Sequence, residues 1–577
     1  MNRTLLLPLW MLFSTALSAA EIRVWSTHGM DRVKRTDEPR SVLEPILYAA
    51  GGEWEPLQII VRGIAADLEV IKINAGPLTS TSGGVIPAPV VLREHYVAVT
   101  KPTELSPYTP AEYPDALVPQ NFPRQPITAD GEVNQPYWID VYVPPGTPAG
   151  DYEGTVTVSA TDDREYVTSY TVHVWDFSLP KLPAFRSSIF TVWRRLAAVH
   201  GFDSDASKAD PRLQVVLDDY YDMLVAHRLS PHEVWATYPA ADDPISERSY
   251  EDIEHGLKHH LLRRGAGMVG LPLWEKWPFD DPLGADRKAA MSYVARYYAI
   301  CEKLNCSDRL YKIFGELDEP HTPEAYAKVH AWKQYFTDVD RIHGVHIPLL
   351  ITVQPTDGNE ALRAVLGQAD ILSPHVSAIW ADIHGNGAPG LTKQHLERGG
   401  HLWAYTALVQ PPEEWKLAQG RPSRLKEGNS PVWLTDFPAI HHRLLAWMAP
   451  RYGITGFTYW DTSHFPDGFD PWTNAGTYPH TNNEVYNGDG LLIYPAHEKT
   501  HGYEGPVASI RLKWIRECVD DYDYLALMKE AGQEELALQR AAVFVRGLCD
   551  WEDRIDALYS ARLDIARHLE RLSRSKS

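Results

Sequence analysis

The apolar positions between residue 21 and about residue 180 are spaced as in β-strands. Short apolar runs alternate with turn signals rich in glycine and proline, such as Pro144–Gly146. Four of these runs are Leu57–Val61, Trp138–Val143, Gly154–Ala160 and Val167–Trp175. Strands at this spacing are typical of a β-sandwich, which we predict for residues 21–180.

Two segments of this region lack a strand pattern. Residues 101–130 are rich in proline and polar groups and are predicted to form a long loop over one face. The segment Leu179–Pro183 contains two prolines without a helical period, so it is predicted to be a stiff linker to the next unit.

The pattern changes between residues 185 and 507, where short apolar strands alternate with helical stretches. The eight strand candidates are Ser187–Val192, Pro231–Thr237, Ala266–Leu273, Leu310–Gly315, Ile347–Val353, Ile371–Pro374, Leu402–Thr406 and Ile454–Trp460. Helical periods lie between them at Val215–Ala226, Ala289–Leu304 and Pro323–Val339. Eight such repeats predict a (β/α)8 TIM barrel, in which catalytic groups lie at the C-terminal ends of the strands.

The last segment, residues 508–577, is strongly helical. Leu512, Ile515, Val519, Tyr522 and Leu525 follow a three-four spacing, and the pattern continues with alternating charges to Leu572. We predict helices that pack on the barrel. The predicted architecture is therefore an N-terminal β-sandwich, a (β/α)8 barrel and a C-terminal helical extension.

The first 20 residues have the pattern of a signal peptide. Arg3 supplies the positive charge, an apolar stretch follows from Leu5 to Leu17, and Ala19 and Ala20 form a small-residue cleavage site. No later segment reaches about 18 uninterrupted apolar residues. We expect an exported protein, periplasmic or secreted, that is not inserted in the membrane after cleavage; a retained N-terminal anchor is the alternative.

Composition narrows the classes of partner. Lys and Arg number 55 and Asp and Glu number 76, so the net charge of −21 disfavours nucleic acids and anionic membranes. The four cysteines and the histidines fit neither a disulfide framework nor a zinc motif. No metal is therefore expected. Nucleotide-binding glycine loops are absent from the sequence, so no cofactor is expected either.

The segment Phe314–Pro320, with the sequence FGELDEP, ends the fourth strand candidate. It places Glu316, Asp318 and Glu319 where a barrel holds its catalytic groups. Pro320 disfavours helix at the preceding residue, so we expect Glu319 to be extended at the mouth of the strand. Crowded carboxylates raise at least one pKa, as a general acid near neutral pH requires.

The adjacency of Asp318 and Glu319 points to one kind of mechanism. Most glycosidases hold two carboxylates across the sugar, and these come from different strands. Two neighbours on one strand end cannot bracket a ring in this way. They fit a substrate-assisted mechanism, in which one acid protonates the leaving oxygen and the other orients the 2-acetamido group that attacks the anomeric carbon.

Several motifs resemble glycoside hydrolase family 123 and its broader relatives, the domain-of-unknown-function family 4091. They extend over nearly all of the chain after residue 20. They are Gly52–Gln58 and Trp138–Gly154 in the sandwich, Asp318–Pro320, Gly456–Trp460 and Asp470–Trp472 in the barrel, and Gly488–Pro495 and Ser509–Tyr522 towards the C-terminus.

The resemblance implies a β-N-acetylgalactosaminidase that retains anomeric configuration. By this resemblance Glu319 is the general acid/base, Asp318 orients the acetamido group and Tyr405 hydrogen-bonds it. Trp403 lies in the same aromatic segment. Family relatives often carry a cysteine soon after the tyrosine, where this chain has Thr406 and Ala407.

Further residues are candidates for sugar contacts. Trp460, Asp461 and Trp472 follow the eighth strand candidate and are predicted to form a platform with hydroxyl-binding carboxylates. Asp489, between two glycines, is a candidate for binding a hydroxyl. Two alternatives remain: a glycosidase for sugars without the acetamido group, with Asp461 or Asp436 opposite Glu319, or a non-catalytic glycan-binding protein.

Overall fold

The computed structural model describes most of the 577 residues. The described ranges are 22–40, 45–127, 131–160, 164–203, 210–240, 243–353, 358–384, 390–410, 430–480 and 483–576. The signal peptide expected at residues 1–20 lies outside them. Within these ranges, none of the helices combines the length and the apolar character that a membrane span requires.

The N-terminal strands form two sheets. They are β1 (Arg23–His28), β2 (Ile46–Gly51), β3 (Glu53–Gly63), β4 (Lys72–Ala75), β5 (Leu78–Thr79), β6 (Val85–Ile86), β7 (Val90–Val99), β8 (Ala111–Pro119), β9 (Val133–Val143), β10 (Gly150–Ser159) and β11 (Glu165–Ser178). The first sheet has the order β1-β3-β9-β7-β8 and is antiparallel. The second has the order β2-β11-β10-β5-β6, with β4 also paired to β10. Inward side chains of both sheets, among them Ile59, Ile139, Val156 and Val172, share one apolar core.

The prediction of a loop over residues 101–130 is wrong in part, because this segment contains strand β8. Residues 113–118 of this strand are all buried, so the strand is covered on both faces. Pro114 lies at a register shift opposite His95 and Tyr96, and β8 is the edge strand of its sheet. A proline is tolerated at such a position because its missing N–H leaves no gap in a central ladder.

The central sheet is parallel and nearly closed. Its strands are β12 (Arg186–Ile189), β13 (Val269–Gly270), β14 (Leu310–Ile313), β15 (Leu349–Val353), β16 (Ile371–Pro374), β17 (His401–Tyr405) and β18 (Ile454–Tyr459). They follow the order β12-β18-β17-β16-β15-β14-β13, and every adjacent pair is parallel. This arrangement is a TIM-like barrel of seven strands within the described residues.

The strand predicted over Pro231–Thr237 is wrong. Only an isolated bridge joins Pro231 to Ile189, and Trp235–Thr237 is a 3-10 turn. Pro231 has no N–H to donate to a ladder. Side chains close the gap to β13: Ser230 Oγ accepts the Met268 N–H at 3.1 Å. In the interior, the Tyr311 hydroxyl lies 2.6 Å from His232 Nδ1 and donates to Ser188 Oγ at 2.5 Å.

Apart from the short first helix, which packs on β3, the helices surround the barrel and continue to the C-terminus. They are α1 (Ala65–Leu68), α2 (Trp193–Val199), α3 (Pro211–Ala226), α4 (Glu247–Leu257), α5 (Arg287–Lys303), α6 (Pro323–His343), α7 (Gly358–Val365), α8 (Val376–His384), α9 (Leu391–Glu397), α10 (His441–Tyr452), α11 (Glu498–His501), α12 (Ile510–Glu530), α13 (Glu534–Ala541) and α14 (Ile555–Lys576). A π-helical turn, Lys258–Arg264, follows α4. The predicted barrel helices lie within or closely match α3, α5 and α6.

Short strands complete the C-terminal half: β19 (Tyr478–Pro479) with β20 (Val485–Tyr486), β21 (Ile493–Ala496) with β22 (Gly505–Ala508), and β23 (Val545–Gly547) with β24 (Asp550–Trp551). The last pair interrupts the continuous helical pattern expected up to Leu572.

Helix α12 is buried along most of its length between the barrel and the first N-terminal sheet. Two buried ion pairs connect α12 to that sheet, Arg511 with Asp115 on β8 and Arg516 with Asp140 on β9. The barrel and the N-terminal sheets therefore share a buried polar interface.

Candidate active site

A cavity of about 730 Å³ opens at the C-terminal ends of the barrel strands. Its walls come from the ends of β12, β14, β15, β17 and β18 and from the loops that follow β18. The lining residues include Phe190, Asp318, Glu319, Thr352, Tyr405, Leu408, Trp460, Tyr478, Tyr486 and Asp489. The cavity combines carboxylates with aromatic rings, which suits a polar ligand with apolar faces, such as a sugar.

Strand β14 leads into the acidic motif. After β14, the chain forms a 3-10 turn at Gly315–Leu317, and Asp318 and Glu319 follow directly. The expectation of an extended Glu319 is wrong, because its φ is 49°, in the left-handed region. Pro320 disfavours the right-handed helical region at this position, and the chain reverses here towards α6.

Thr352, in β15, joins the two acids. Its hydroxyl donates a short hydrogen bond to Asp318 Oδ1 and accepts the N–H of Glu319 at 3.2 Å. One side chain thus fixes the carboxylate of Asp318 relative to the backbone of Glu319. The Asp318 carboxyl faces the open cavity, yet the protein atoms crowded around it raise its pKa above the usual value, while the Thr352 hydrogen bond acts in the opposite direction.

Tyr405, at the end of β17, contacts the second acid. Its hydroxyl donates a short hydrogen bond to Glu319 Oε1 and lies 3.3 Å from the carbonyl oxygen of Val353. Burial, followed by the negative charge of Glu319, raises the pKa of Tyr405 well above its usual value. The phenol therefore remains a hydrogen-bond donor over the whole physiological range of pH.

Asp489 forms the opposite part of the wall. Its Oδ2 accepts the indole N–H of Trp460 at 3.1 Å, and its Oδ1 accepts the N–H of Leu408 at 3.3 Å. Burial raises the pKa of Asp489 to about 6. The Trp460 ring packs against His464 and Tyr478 at centroid distances of 4.7 and 5.6 Å, which makes an aromatic side to the cavity.

The structure brings together five of the eight predicted site residues: Asp318, Glu319, Tyr405, Trp460 and Asp489 all line the cavity. The other three predicted residues do not line the cavity. Trp403 is a core residue, because its ring points into the barrel interior with Tyr311, Ile313 and Leu350. The position of Trp403 therefore does not support a sugar contact.

Asp461 and Trp472 also lie elsewhere. Asp461 is fully buried and accepts hydrogen bonds from Arg195 at 3.0 Å and from the N–H groups of Val192, Thr462 and Ser463. Trp472 stacks on Phe122 of the N-terminal unit and donates to the carbonyl of Pro495. Their positions do not support a platform for sugar, since neither lines the cavity.

Thr352 and the β19–β20 hairpin were not among the residues predicted for the site. Thr352 is the polar residue near the end of an apolar strand, and this signal was visible in the sequence LLITV. Tyr478 and Tyr486 reach the cavity from a hairpin of two-residue strands, which is too short to show a periodic pattern.

Among the described residues, one group of side chains is close enough to share a metal ion: Glu53, Glu55 and Glu517. It lies between the N-terminal sheets and the C-terminal helices, away from the cavity. Arg562 donates short hydrogen bonds to both Glu53 and Glu55. A guanidinium group thus already supplies the positive charge that these carboxylates need.

Comparisons with known proteins indicate the class of enzyme. The family described as "Glycoside hydrolase 123, catalytic domain" matches residues 426–528, a segment that includes β18, Trp460, Asp489 and most of α12. No curated protein sequence matches the chain.

Among solved structures, a family 123 glycoside hydrolase from Clostridium perfringens is similar at a TM-score of 0.65 and 12% identity, covering 96% of this chain and 99% of that chain. A Bacteroides ovatus GH5 xyloglucanase is similar at a TM-score of 0.27 and 12% identity, covering 83% and 98%. A family 39 glycoside hydrolase from Bacteroides cellulosilyticus WH2 is similar at a TM-score of 0.31 and 11% identity, covering 78% and 80%.

The first of these structures shares the fold over nearly the whole of both chains, and the family match lies in the segment that forms one wall of the cavity. The resemblance to family 123 seen in the sequence is thereby confirmed. The chain is a glycoside hydrolase that resembles family 123 in its fold and in the segment 426–528.

Proposed function

We propose that the chain releases terminal β-linked N-acetylhexosamine, with N-acetylgalactosamine as the first candidate, by a substrate-assisted mechanism that retains anomeric configuration. The observation that carries this proposal is the pair of adjacent acids, Asp318 and Glu319, held on one wall of the cavity by Thr352. Two carboxylates on the same wall suit proton delivery and orientation of the acetamido group better than they suit direct attack by a carboxylate from the face opposite the leaving group.

The proposed reaction has two steps. In the first, Glu319 gives its proton to the glycosidic oxygen while the carbonyl oxygen of the 2-acetamido group forms a bond to the anomeric carbon and the alcohol leaves. Asp318 accepts the amide N–H and stabilises the positive charge of the cyclic intermediate. In the second, Glu319 takes a proton from water, which attacks the same carbon and restores the acetamido group.

Tyr405 has a matching role. Its hydroxyl donates to the Glu319 carboxylate, so it stabilises the anion that remains after the proton has been delivered. Its raised pKa keeps the proton on the phenol throughout the cycle. The hydrogen bond to the acetamido group that the family resemblance implies for Tyr405 remains a prediction.

The glycosidase without an acetamido requirement has weaker support. Asp461 accepts four hydrogen bonds outside the cavity, and Asp436 is held by Thr103 and Asn487. Neither is placed to face Glu319. We assign Asp489, the remaining carboxylate of the wall, to binding a sugar hydroxyl, beside the Trp460 ring that packs on an apolar face of the sugar.

We extend two further properties to this chain as part of the proposal. The Clostridium perfringens enzyme carries out glycolipid glycan hydrolysis, and glycans of this class are the natural substrates to test first. The N-terminal signal pattern would bring the enzyme to such substrates outside the cytoplasm.

The test measures hydrolysis of aryl β-N-acetylgalactosaminides with leaving groups of different pKa. Glu319→Gln should lower kcat/KM far more for poor leaving groups than for good ones, because only the poor ones need the proton. Asp318→Asn should slow all of them, because it weakens formation of the cyclic intermediate. Glu324→Gln, an exposed acid in the first turn of α6, is the matched control and should behave as the wild type.

Three results would contradict the proposal. The first is wild-type turnover in both acid variants. The second is activity on aryl β-galactosides with none on N-acetylgalactosaminides. The third is stable binding of an N-acetylgalactosamine-terminated glycan by the wild type without any product, which would favour the glycan-binding alternative.

A further inference from the structure

A buried ion pair connects the N-terminal sheet to the wall of the cavity. Asp115, on β8, accepts two hydrogen bonds from Arg511 in the first turn of α12, at 2.9 Å from Nε and 2.7 Å from Nη2. Both side chains are fully buried, and the Tyr494 hydroxyl donates to the same carboxylate at 2.7 Å. Asp115 therefore balances the charge of the Arg511 guanidinium and fixes its orientation.

The rest of that guanidinium binds the loops behind the cavity. Nη1 donates to the carbonyl oxygens of Gly488 at 2.7 Å and of Trp433 at 3.1 Å, and Nη2 also donates to that of Leu491. Gly488 directly precedes Asp489, and Leu491 lies two residues after it. The ion pair thus reaches the cavity carboxylate through one arginine and one peptide turn.

The turn at Gly488–Gly490 has no spare room. Both glycines have positive φ, 78° and 69°. A Cβ at Gly488 would lie 2.9 Å from Arg511 Cζ, and a Cβ at Gly490 would lie 2.5 Å from the Trp460 ring. The turn is therefore packed directly between the guanidinium on one side and the indole on the other. A displacement of Arg511 would be passed on to Asp489 and Trp460.

We propose that Asp115 is a positioning residue for the active site, which acts through Arg511 to set Asp489 and Trp460 against the sugar. A side chain of the N-terminal sheet then contributes to substrate affinity without touching the substrate. This inference rests on the proposed function, because it treats the cavity as the sugar-binding site and Asp489 and Trp460 as parts of its wall.

The same interface provides a matched control. Asp140, on β9, accepts hydrogen bonds from Arg516 at 2.8 and 3.0 Å and from Lys513 at 2.9 Å. Like Asp115, it is a buried aspartate of the first N-terminal sheet that is paired with an arginine of α12. Neither Asp140 nor its two partners line the cavity. Asp115→Asn and Asp140→Asn therefore make the same chemical change at the same interface, and only one of them is connected to the turn.

The experiment compares both variants with the full-length wild type on an aryl β-N-acetylgalactosaminide. Assays are run well below the melting temperature of the less stable variant. Asp115→Asn should raise KM about tenfold and leave kcat within about twofold, because a sugar contact that is equal in ground state and transition state contributes to KM alone. Asp140→Asn should lower the melting temperature to a similar degree and leave KM unchanged.

A double-mutant cycle tests whether Asp115 acts through the cavity wall that contains Trp460. Asp115→Asn combined with Trp460→Phe should give an increase in KM that is smaller than the product of the two single increases, because both act on the same wall. In Asp140→Asn combined with Trp460→Phe, the change in KM should equal the product of the two single changes. Tyr494→Phe removes one donor to Asp115 without a change of charge. Its smaller increase in KM keeps the test open even if Asp115→Asn does not fold.

The two proposals fail in different ways. A wild-type enzyme without activity on N-acetylhexosaminides would contradict the proposed function. The positioning role fails if the wild type is active but Asp115→Asn and Tyr494→Phe both keep the wild-type KM. It also fails if Asp115→Asn and Asp140→Asn change KM equally. Either result would leave the proposed function intact.

Discussion

Replacing Thr352 with valine is the sharpest test of how the acid pair is organised. Valine has nearly the same shape as threonine and removes only the hydroxyl. The hydroxyl has two tasks, since it donates to Asp318 Oδ1 and accepts the N–H of Glu319. The variant therefore leaves both acids in place and removes the group that orients them.

The size of the effect follows from the hydrogen bond. A hydrogen bond to a charged acceptor contributes about 1.5–3 kcal/mol. If Asp318 acts as an anion in the transition state, losing that bond should lower kcat/KM by roughly 10- to 150-fold, because about 1.4 kcal/mol corresponds to a factor of ten.

The same bond determines the pH dependence. The Thr352 hydrogen bond lowers the pKa of Asp318 against the stronger effect of crowding, which raises it. Without the hydroxyl, that pKa rises further, because the Asp318 anion loses a hydrogen-bond donor. Asp318 is then ionised only at higher pH, so the acidic limb of the pH–activity profile should move upwards.

The assay is a pH series of kcat/KM on one aryl β-N-acetylgalactosaminide for the wild type, Thr352→Val and Thr352→Ser. The serine variant keeps the hydroxyl and should stay close to the wild type in both rate and acidic limb. If the valine variant shows the wild-type acidic limb and rate, Thr352 does not organise the acids, and the assigned role of the Asp318 anion is wrong.

Three further outcomes are expected. Gly490→Ala forces a Cβ towards the Trp460 ring at a positive φ, so it should lower the free energy of unfolding in urea by about 1–3 kcal/mol and raise KM. Trp403→Phe should lower stability by a similar amount in the same assay but leave KM unchanged, because Trp403 packs in the barrel core. Burial raises the pKa of Asp461 to about 6, so its contribution to stability is complete below about pH 4 and is lost as the pH rises through 6. The stability advantage of wild type over Asp461→Asn should therefore shrink by up to about 3 kcal/mol between pH 4 and 7. An advantage that grows with pH would contradict this.

Sequence reasoning located the barrel where strand and helix alternate clearly. The strands β14 to β18 coincide with their predicted positions within two residues at either end, because each is a short apolar run before a polar turn. The strand candidate at Pro231–Thr237 has the same composition but forms a bridge and a 3-10 turn. A period of apolar residues does not reveal which N–H groups find a partner.

The site was predictable to the extent that it is local in sequence. Asp318 and Glu319 stand out because three acids and a proline follow a strand. Trp460 and Trp472 are both tryptophans in loops after β18, yet one lines the cavity and the other packs on Phe122 of the N-terminal unit. Only the contact between the two units separates them, and that contact joins residues about 350 positions apart in the chain.

The seam between β12 and β13, where the backbone ladder of the barrel is interrupted, determines where local unfolding is expected to begin. On this side the barrel is closed by one backbone bridge and by side-chain hydrogen bonds among Ser188, His232 and Tyr311, not by a continuous ladder. Amide protons near Pro231 should therefore exchange with solvent sooner than those of β16 or β17, which have ladders on both sides. The first local opening of the cylinder would occur at this seam, while the strands that carry Thr352 and Tyr405 remain paired.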